Sequence, residues 1–287
     1  MTRTLSIVGA GRVGRTLGKR LRERGWRIGA VVTRSAATAR AAVRVIGAGK
    51  PLSRLTADPL AADVILLCTA DDDLPALVRT LAKLGGAKCK GKIILHTSAT
   101  LDRRVLAPLA RCGAATGSLH PMQAFGGKVI PTLSGVIFAI EGDPKARRMA
   151  HSIGKSLGGI TVAINTRDKP IYHAAAVIAA GSTYPTIEAG VQLLIRIGFT
   201  RERAMQTLVP LIRQIFDNIE RIGPRAAWTG PLSRGDYAIV ARHVRALRAY
   251  PREFRQSYAA LSLLAGRLLA KNPADALKKI RRTLADG

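Results

Sequence analysis

Leu5-Ser6-Ile7-Val8-Gly9-Ala10-Gly11-Arg12-Val13-Gly14 runs from an apolar, strand-like segment straight into glycines at 9, 11 and 14, and a helical pattern follows. Each glycine answers a different demand. Gly9 permits a tight turn out of the strand, Gly11 lets the main chain approach a pyrophosphate, and Gly14 lets helix and strand pack closely. The free N–H groups and dipole at the start of the helix favour a negatively charged phosphate. The turn formed by Gly9, Ala10, Gly11, Arg12, Val13 and Gly14 is therefore the expected seat of a dinucleotide.

Outward from this turn, short β-rich runs alternate with helical patterns. Strands are expected at 4–8, 27–33, 63–68, 92–96, 115–119, 135–140 and 160–164. Helices are expected at 12–24, 36–45, 74–84, 101–111 and 144–157. Strands separated by helices of this length imply βαβ units and a parallel sheet. Near Lys169 the character changes: strand signals vanish and helical patterns run over 171–197, 201–222 and 252–270, with breaks at Pro251 and Pro273. The expected architecture is α/β, a doubly wound Rossmann sheet over 1–166 followed by an all-helical domain over 167–287.

The second strand decides which nucleotide fits. A site for NAD carries an acidic residue about 20 positions beyond the glycines, at the end of the second strand, to bind the ribose hydroxyls. Here that position reads Thr33-Arg34-Ser35, and no Asp or Glu occurs between Glu23 and Asp58. A guanidinium flanked by two hydroxyls suits a 2′-phosphate, and the missing carboxylate removes the repulsion that would exclude it. NADP(H) is the expected cofactor, with Arg40 and Arg44 on the next helix as reinforcement. Thr69 and Ala70, at the end of a later strand, are expected to pass near the nicotinamide ribose.

Composition sets the remaining bounds. The 287 residues are 47% hydrophobic and 22% charged, the profile of a globular chain with room for two cores. No apolar stretch reaches the roughly 18 uncharged residues a membrane span needs, and the N-terminal apolar run enters the glycine turn without a cleavage region. Cys68, Cys89 and Cys112 lack CxxC spacing, which argues against a disulfide framework or zinc site and for a reducing, cytoplasmic setting. The 46 Lys plus Arg against 18 Asp plus Glu give a net charge of +28. Such a field attracts polyanions. The basic residues are nevertheless spread along the chain, mostly singly and with no basic tail of five or more, and aromatics make up only 4% with no basic-aromatic interleaving, which counts against nucleic-acid recognition.

Residues just after strands face the ligand in a doubly wound sheet. Asp71 to Asp73 are read as caps of the helix that begins at Leu74. His96-Thr97-Ser98 ends a strand: His96 is either a proton carrier or a strand-end hydrogen-bonding group, and Ser98 a cap. His120, held extended by Pro121, is the first choice for a substrate-facing proton donor. No residues have the spacing of a metal site.

In chain order, Gly9–Gly14, Thr33-Arg34-Ser35, Val64–Asp72, His96-Thr97-Ser98, Gly117–Pro121, Tyr172-His173-Ala174-Ala175-Ala176 and Thr229-Gly230-Pro231 with Arg234-Gly235-Asp236 resemble Rossmann-like oxidoreductases that carry a C-terminal helical domain of unknown function. That group is similar to pyrroline-5-carboxylate reductases, deazaflavin-dependent NADP reductases and β-hydroxyacid dehydrogenases, whose second domain is 6-phosphogluconate dehydrogenase C-terminal-like. The resemblance implies a homodimer through the helical domain and a cleft between domains that takes a small molecule. In the β-hydroxyacid dehydrogenases the first helix of that domain supplies a catalytic lysine. This chain is read as lacking one there, so His173 or Tyr172 takes the acid role, with Lys169, before Pro170 and outside the helix, as a further candidate. Ala180-Gly181 replaces a Ser-Asn pair usual in the group. Arg234 is open to a substrate carboxylate or to Asp236.

The expected activity is NADPH-dependent reduction of a C=O or C=N bond in a small anionic molecule, with His120, His173 or His96 as proton source. The alternatives are a non-catalytic NADP-binding sensor or scaffold, and an electrostatic nucleic-acid binder.

Overall fold

The computed structural model describes residues 3–127 and 129–286. They form two compact units that divide between Ala179 and Ala180.

The first unit alternates β1 (Thr4–Val8), α1 (Arg12–Glu23), β2 (Arg27–Val32), α2 (Ala36–Ile46), β3 (Lys50–Leu52), β4 (Val64–Leu67), α3 (Leu74–Gly85), β5 (Ile93–His96), α4 (Ala107–Arg111), β6 (Ala115–Pro121), β7 (Ile137–Gly142), α5 (Pro144–Ser156), β8 (Ile160–Ala163) and α6 (Lys169–Ala176). One eight-stranded sheet has the order β3-β2-β1-β4-β5-β6-β7-β8. Strand order reverses between β1 and β4, the position where doubly wound sheets open a crevice.

The sheet is buried on both faces, so its central strands read as unbroken apolar runs rather than alternating ones. Leu5 and Ile7 of β1, Leu66 of β4 and Leu95 of β5 join one core with Leu17 and Leu21 of α1. Val8, Ile65, Leu67 and Ile94 point the other way, onto Val78 and Leu81 of α3. Each such side chain contributes about 1.5–3 kcal/mol when fully removed from water.

Two expectations need correction here. β7 runs antiparallel to β6, although every other neighbouring pair is parallel. The described residues joining them form no helix, whereas a parallel neighbour is usually reached through a crossover helix. The helix expected over 101–111 is a 3₁₀ turn, Arg103–Leu106, followed by the short α4. The three-residue β3 was not expected at all.

The second unit is helical: α7 (Thr183–Arg196), α8 (Arg201–Ala227), the one-turn α9 (Pro231–Arg234), α10 (Tyr237–Ala246), α11 (Arg252–Leu268) and α12 (Pro273–Asp286). The single helix expected over 171–197 is interrupted, because α6 gives way to a π-helical turn, Val177–Gly181, before α7 begins. In α8 the helical geometry breaks at Gly223, with φ 78°, immediately before Pro224. Arg201 joins α7 to α8 through a bidentate contact with Glu188, at 2.9 and 2.6 Å. Ile280 of α12 seats against Gly266 of α11. Among the described residues no helix is long and apolar enough to cross a membrane.

The glycine turn is closely packed at its Gly14 end and open in the middle. At Gly14 a Cβ would come within 2.8 Å of the Gly9 carbonyl oxygen and 3.1 Å of Ile7, whereas at Gly11 it would meet nothing within 4 Å. Gly14→Ala should therefore cost about 1–3 kcal/mol by overpacking. Gly11→Ala should cost under about 1 kcal/mol. Urea unfolding of the two variants measures the difference, and equal losses would contradict the packing described.

Candidate functional site

The C-terminal ends of β1, β2 and β4 surround a cleft of about 840 Å³ lined by Gly9, Ala10 and Gly11, by Thr33, Arg34 and Ser35, and by Thr69 and Ala70. Gly9 turns the chain with φ 88°, and its N–H donates to the Val32 carbonyl at 2.9 Å. The first α1 hydrogen bond runs from the Arg15 N–H to the Gly11 carbonyl, at 3.0 Å. The N–H groups of Arg12, Val13 and Gly14 therefore precede the helix ladder, as the first turn of any helix requires. Arg12, Val13 and Gly14 do not line the cleft themselves; Arg15 does, and sequence reading passed over it. Ser53 and Leu55 after β3, with Ala76, Leu77 and Thr80 of α3, complete the wall. No local motif marks these residues, because they converge only once the sheet is formed.

At the end of β2, Arg34 is exposed and enters no ion pair among the described residues. The neighbouring hydroxyls are already knitted together. Ser35 caps α2 by accepting the Thr38 N–H at 3.2 Å, and Thr33 and Thr38 hydroxyls lie 2.7 Å apart. Arg34 is thus an unpaired cation beside a small cluster of hydroxyls.

Further along the sheet edge lies a polar cluster. The His120 Nδ1 lies 3.0 Å from the Tyr172 hydroxyl, with the two rings edge to face. Burial, then the positive fields of His173 and Lys169, depress the His120 pKa to about 4, and burial lifts that of Tyr172 to about 12. Near neutral pH His120 is uncharged and Tyr172 keeps its proton. Among the described residues, the Nδ1 of His173 and the hydroxyl of Thr69 are buried without a hydrogen-bond partner. Orphaned polar groups of this kind carry a desolvation cost that a bound ligand can relieve.

His96 differs from the other two histidines. It is fully buried, its Nδ1 accepts the Ser98 N–H at 3.2 Å, and burial lowers its pKa to about 3. Its Nε2 is buried without a hydrogen-bond partner among the described residues. Of the two roles left open for His96, this geometry matches the strand-end one.

Three sequence readings are corrected. Asp73 occupies the N-cap of α3 without a side-chain bond, while Asp71 instead accepts the hydroxyls of Ser98 and Thr100, at 2.8 and 2.6 Å, tying β4 to β5. Ser98 does not cap the following 3₁₀ turn; Asp102 does, accepting the Arg104 N–H at 2.7 Å. Lys169 is the first residue of α6 rather than outside it, is 1% exposed, and donates to the Ser118 hydroxyl at 3.0 Å. Pro170 misled the reading: proline fits a first helical turn, where its missing N–H is not needed. In the helical unit Arg234 pairs with Asp236 at 3.0 Å, one of the two partners considered for it. Among the described residues no group of three or more His, Cys, Asp or Glu is placed to hold a metal.

The chain matches two family profiles, a Rossmann-like domain over residues 2–121 and a domain of unknown function, DUF2520, over residues 136–265. No curated protein matches it. Among solved structures it is similar to a Bacteroides fragilis protein assigned as an NADP oxidoreductase, at 20% identity over 96% of this chain and 98% of the other, TM-score 0.74. It is also similar to a reductive aminase from Aspergillus terreus in complex with NADPH and ethyl levulinate, at 16% identity over 97% and 99%, TM-score 0.70. An imine reductase from Streptomyces aurantiacus matches at 16% identity over 96% and 99%, TM-score 0.62. At these identities the similarity establishes a shared fold.

The two depressed histidines carry a consequence for stability. Between pH 6.5 and about 4 the unfolded chain binds protons at positions 96 and 120 that the folded chain refuses, so stability falls as pH falls. Each ring contributes about 1.4 kcal/mol per pH unit across its window. Urea midpoints measured at pH 7.5, 5.5 and 4.5 should decline accordingly, and His96→Gln should flatten the decline. An unchanged slope would mean that His96 is solvated.

Proposed function

We propose that this chain, which joins a Rossmann-like domain to DUF2520, is an NADPH-dependent reductase of C=O or C=N bonds in small molecules. The observation that carries this reading is the cleft at the strand-order reversal, where the glycine turn, the unpaired Arg34 and Thr69 line one cavity. The structural likeness to a reductive aminase complexed with NADPH and to an imine reductase supports it.

Gly9 to Gly14 would hold the pyrophosphate through main-chain N–H groups at the start of α1. Arg34 would meet the 2′-phosphate of the adenosine ribose with its planar fork. When bound, NADPH supplies a hydride to an electrophilic carbon. The chain contributes orientation and a proton. Tyr172, the one member of the pair with a hydroxyl proton to give, donates to His120 Nδ1, which leaves the imidazole proton on Nε2 for a substrate oxygen or nitrogen. As Nε2 gives up its proton, Nδ1 takes that of Tyr172; a proton from solvent at Nε2 then lets Nδ1 return the first to the Tyr172 oxygen, and the pair is reset. His173, with its unpartnered Nδ1, is the second group able to orient the substrate.

A second copy of the chain is the proposed partner. Leu211, Ile215, Ile219 and Ile222 recur along one side of α8 and are 37–58% exposed, a stripe that helical periodicity would bury against another surface.

Arg34→Asp should raise the Kd for NADPH about 10-fold or more, while NADH binding changes little. Isothermal titration with both nucleotides decides this, and equal losses would remove the 2′-phosphate assignment. NADPH oxidation should be followed with a panel of cyclic imines and carbonyl compounds. His120→Ala with His173→Ala should lower the rate about 10²–10⁴-fold. Unchanged turnover would eliminate both histidines, and tight NADPH binding with no turnover on any compound would favour a sensor over an enzyme.

A further inference from the structure

We propose that Lys169 is a positioning residue: through Ser118 and Glu141 it clamps α6 onto β6, and so sets Tyr172 against His120. This deepens the reductase reading and rests on its choice of His120 and Tyr172 as the proton-handling pair.

The argument begins with how unfavourable the location of Lys169 is. Its ammonium is 1% exposed and stands in the first turn of α6, where the helix dipole is positive. Burial and dipole both oppose a charge there, and burial pushes its pKa down. Two groups offset this. The Ser118 hydroxyl accepts from Nζ at 3.0 Å, and a Glu141 oxygen lies 3.7 Å away. Glu141, on β7 and itself buried, also accepts the Thr166 hydroxyl at 2.9 Å and the Arg103 N–H at 3.1 Å. The carboxylate therefore holds both the approach to α6 and its first residue.

The contacts fall in register. Ser118 and His120 are two apart on β6 and share a face, while Lys169 and Tyr172 are three apart on α6 and share a face. Lys169 meets Ser118 and Tyr172 meets His120, so fixing the first pair fixes the second. With its ammonium enclosed and engaged by two side chains, Lys169 has no exposed surface to offer a substrate. It acts through the pair. The charged and titratable groups that bear on His120 are His173 and Lys169 from α6 and Asp71 from the turn after β4, with Tyr172 in contact.

The test reads the His120 ring by NMR in the full-length protein without nucleotide or substrate, its signal assigned by comparison with His120→Gln. In the parent protein the ring should titrate near 4. In Lys169→Met/Glu141→Gln, which removes the clamp without stranding either charge, the midpoint should climb by about one pH unit or more toward 6.5 as the ring loses its cation and its fixed partner. A folded double variant whose His120 titrates as in the parent overturns the proposal. Should that variant not fold, Ser118→Ala removes the acceptor alone; the midpoint should again rise, by less, and no movement overturns the proposal. Lys169→Met by itself should be less stable than the double variant, because it leaves a buried carboxylate unpaired; equal stability would deny the charge pair. Since nothing here depends on turnover, failure to find a reductase substrate and failure of the clamp are separate results.

Discussion

The close approach of α1 to the sheet is the constraint on which the rest of the first unit depends. Gly14 lies against the Gly9 carbonyl and Ile7, and one turn later a Cβ on Gly18 would meet the Ile7 and Ile46 side chains at 2.5 and 3.0 Å. Without side chains at 14 and 18 the helix sits directly on β1, so its first turn points at the edge where β1 and β4 diverge. That geometry produces the cleft. A helix held a methyl group further away would shift its N–H groups relative to Thr33 and Thr69 on the neighbouring strands. Gly14 and Gly18 thus serve packing, while Gly11 lies in the cleft lining with open space beside it.

The second organising contact lies at the other end of the sheet, where chemistry is concentrated in a small volume. Glu141, Ser118, Lys169, His120, Tyr172 and His173 come from three elements, and most of their polar atoms are satisfied by one another. Low local dielectric strengthens such contacts and makes each unfilled position costly. The unfilled ones, His173 Nδ1 and the Thr69 hydroxyl, are therefore the informative ones. They are buried polar atoms for which the described residues supply no partner.

The order of strands and helices in the first unit was largely legible, since runs such as Val64–Leu67 and Ile93–His96 are buried on both faces and alternate with amphipathic helices. The glycine turn and Arg34 were legible because each answers a local steric or electrostatic demand. What escaped reading depended on neighbours. β3 is three residues with a central proline, too short for any periodic signal. The antiparallel β7 differs from a parallel strand only in its partner. Asp71 looked like a helix cap in isolation and became a cross-strand acceptor once Ser98 and Thr100 arrived beside it. Lys169, read as a further candidate outside the helix, is its first residue, since proline at a helix start breaks nothing. In the helical unit α10 and α12 went unread, their patterns being crowded with arginine and lysine.

The two margins of the sheet differ in a way that bears on the behaviour of the protein at high concentration. At one margin β3 is short and its Pro51 has no N–H to offer, so it cannot template another strand. At the other, β8 ends the sheet with Ile160 and Val162 exposed at 56% and 44%. An unpaired edge with outward apolar side chains invites pairing with a strand from another molecule. The large positive charge opposes such encounters by mutual repulsion. Polyvalent anions that neutralise that charge would remove the opposition, and the β8 edge would then join the apolar stripe of α8 as a place where molecules associate.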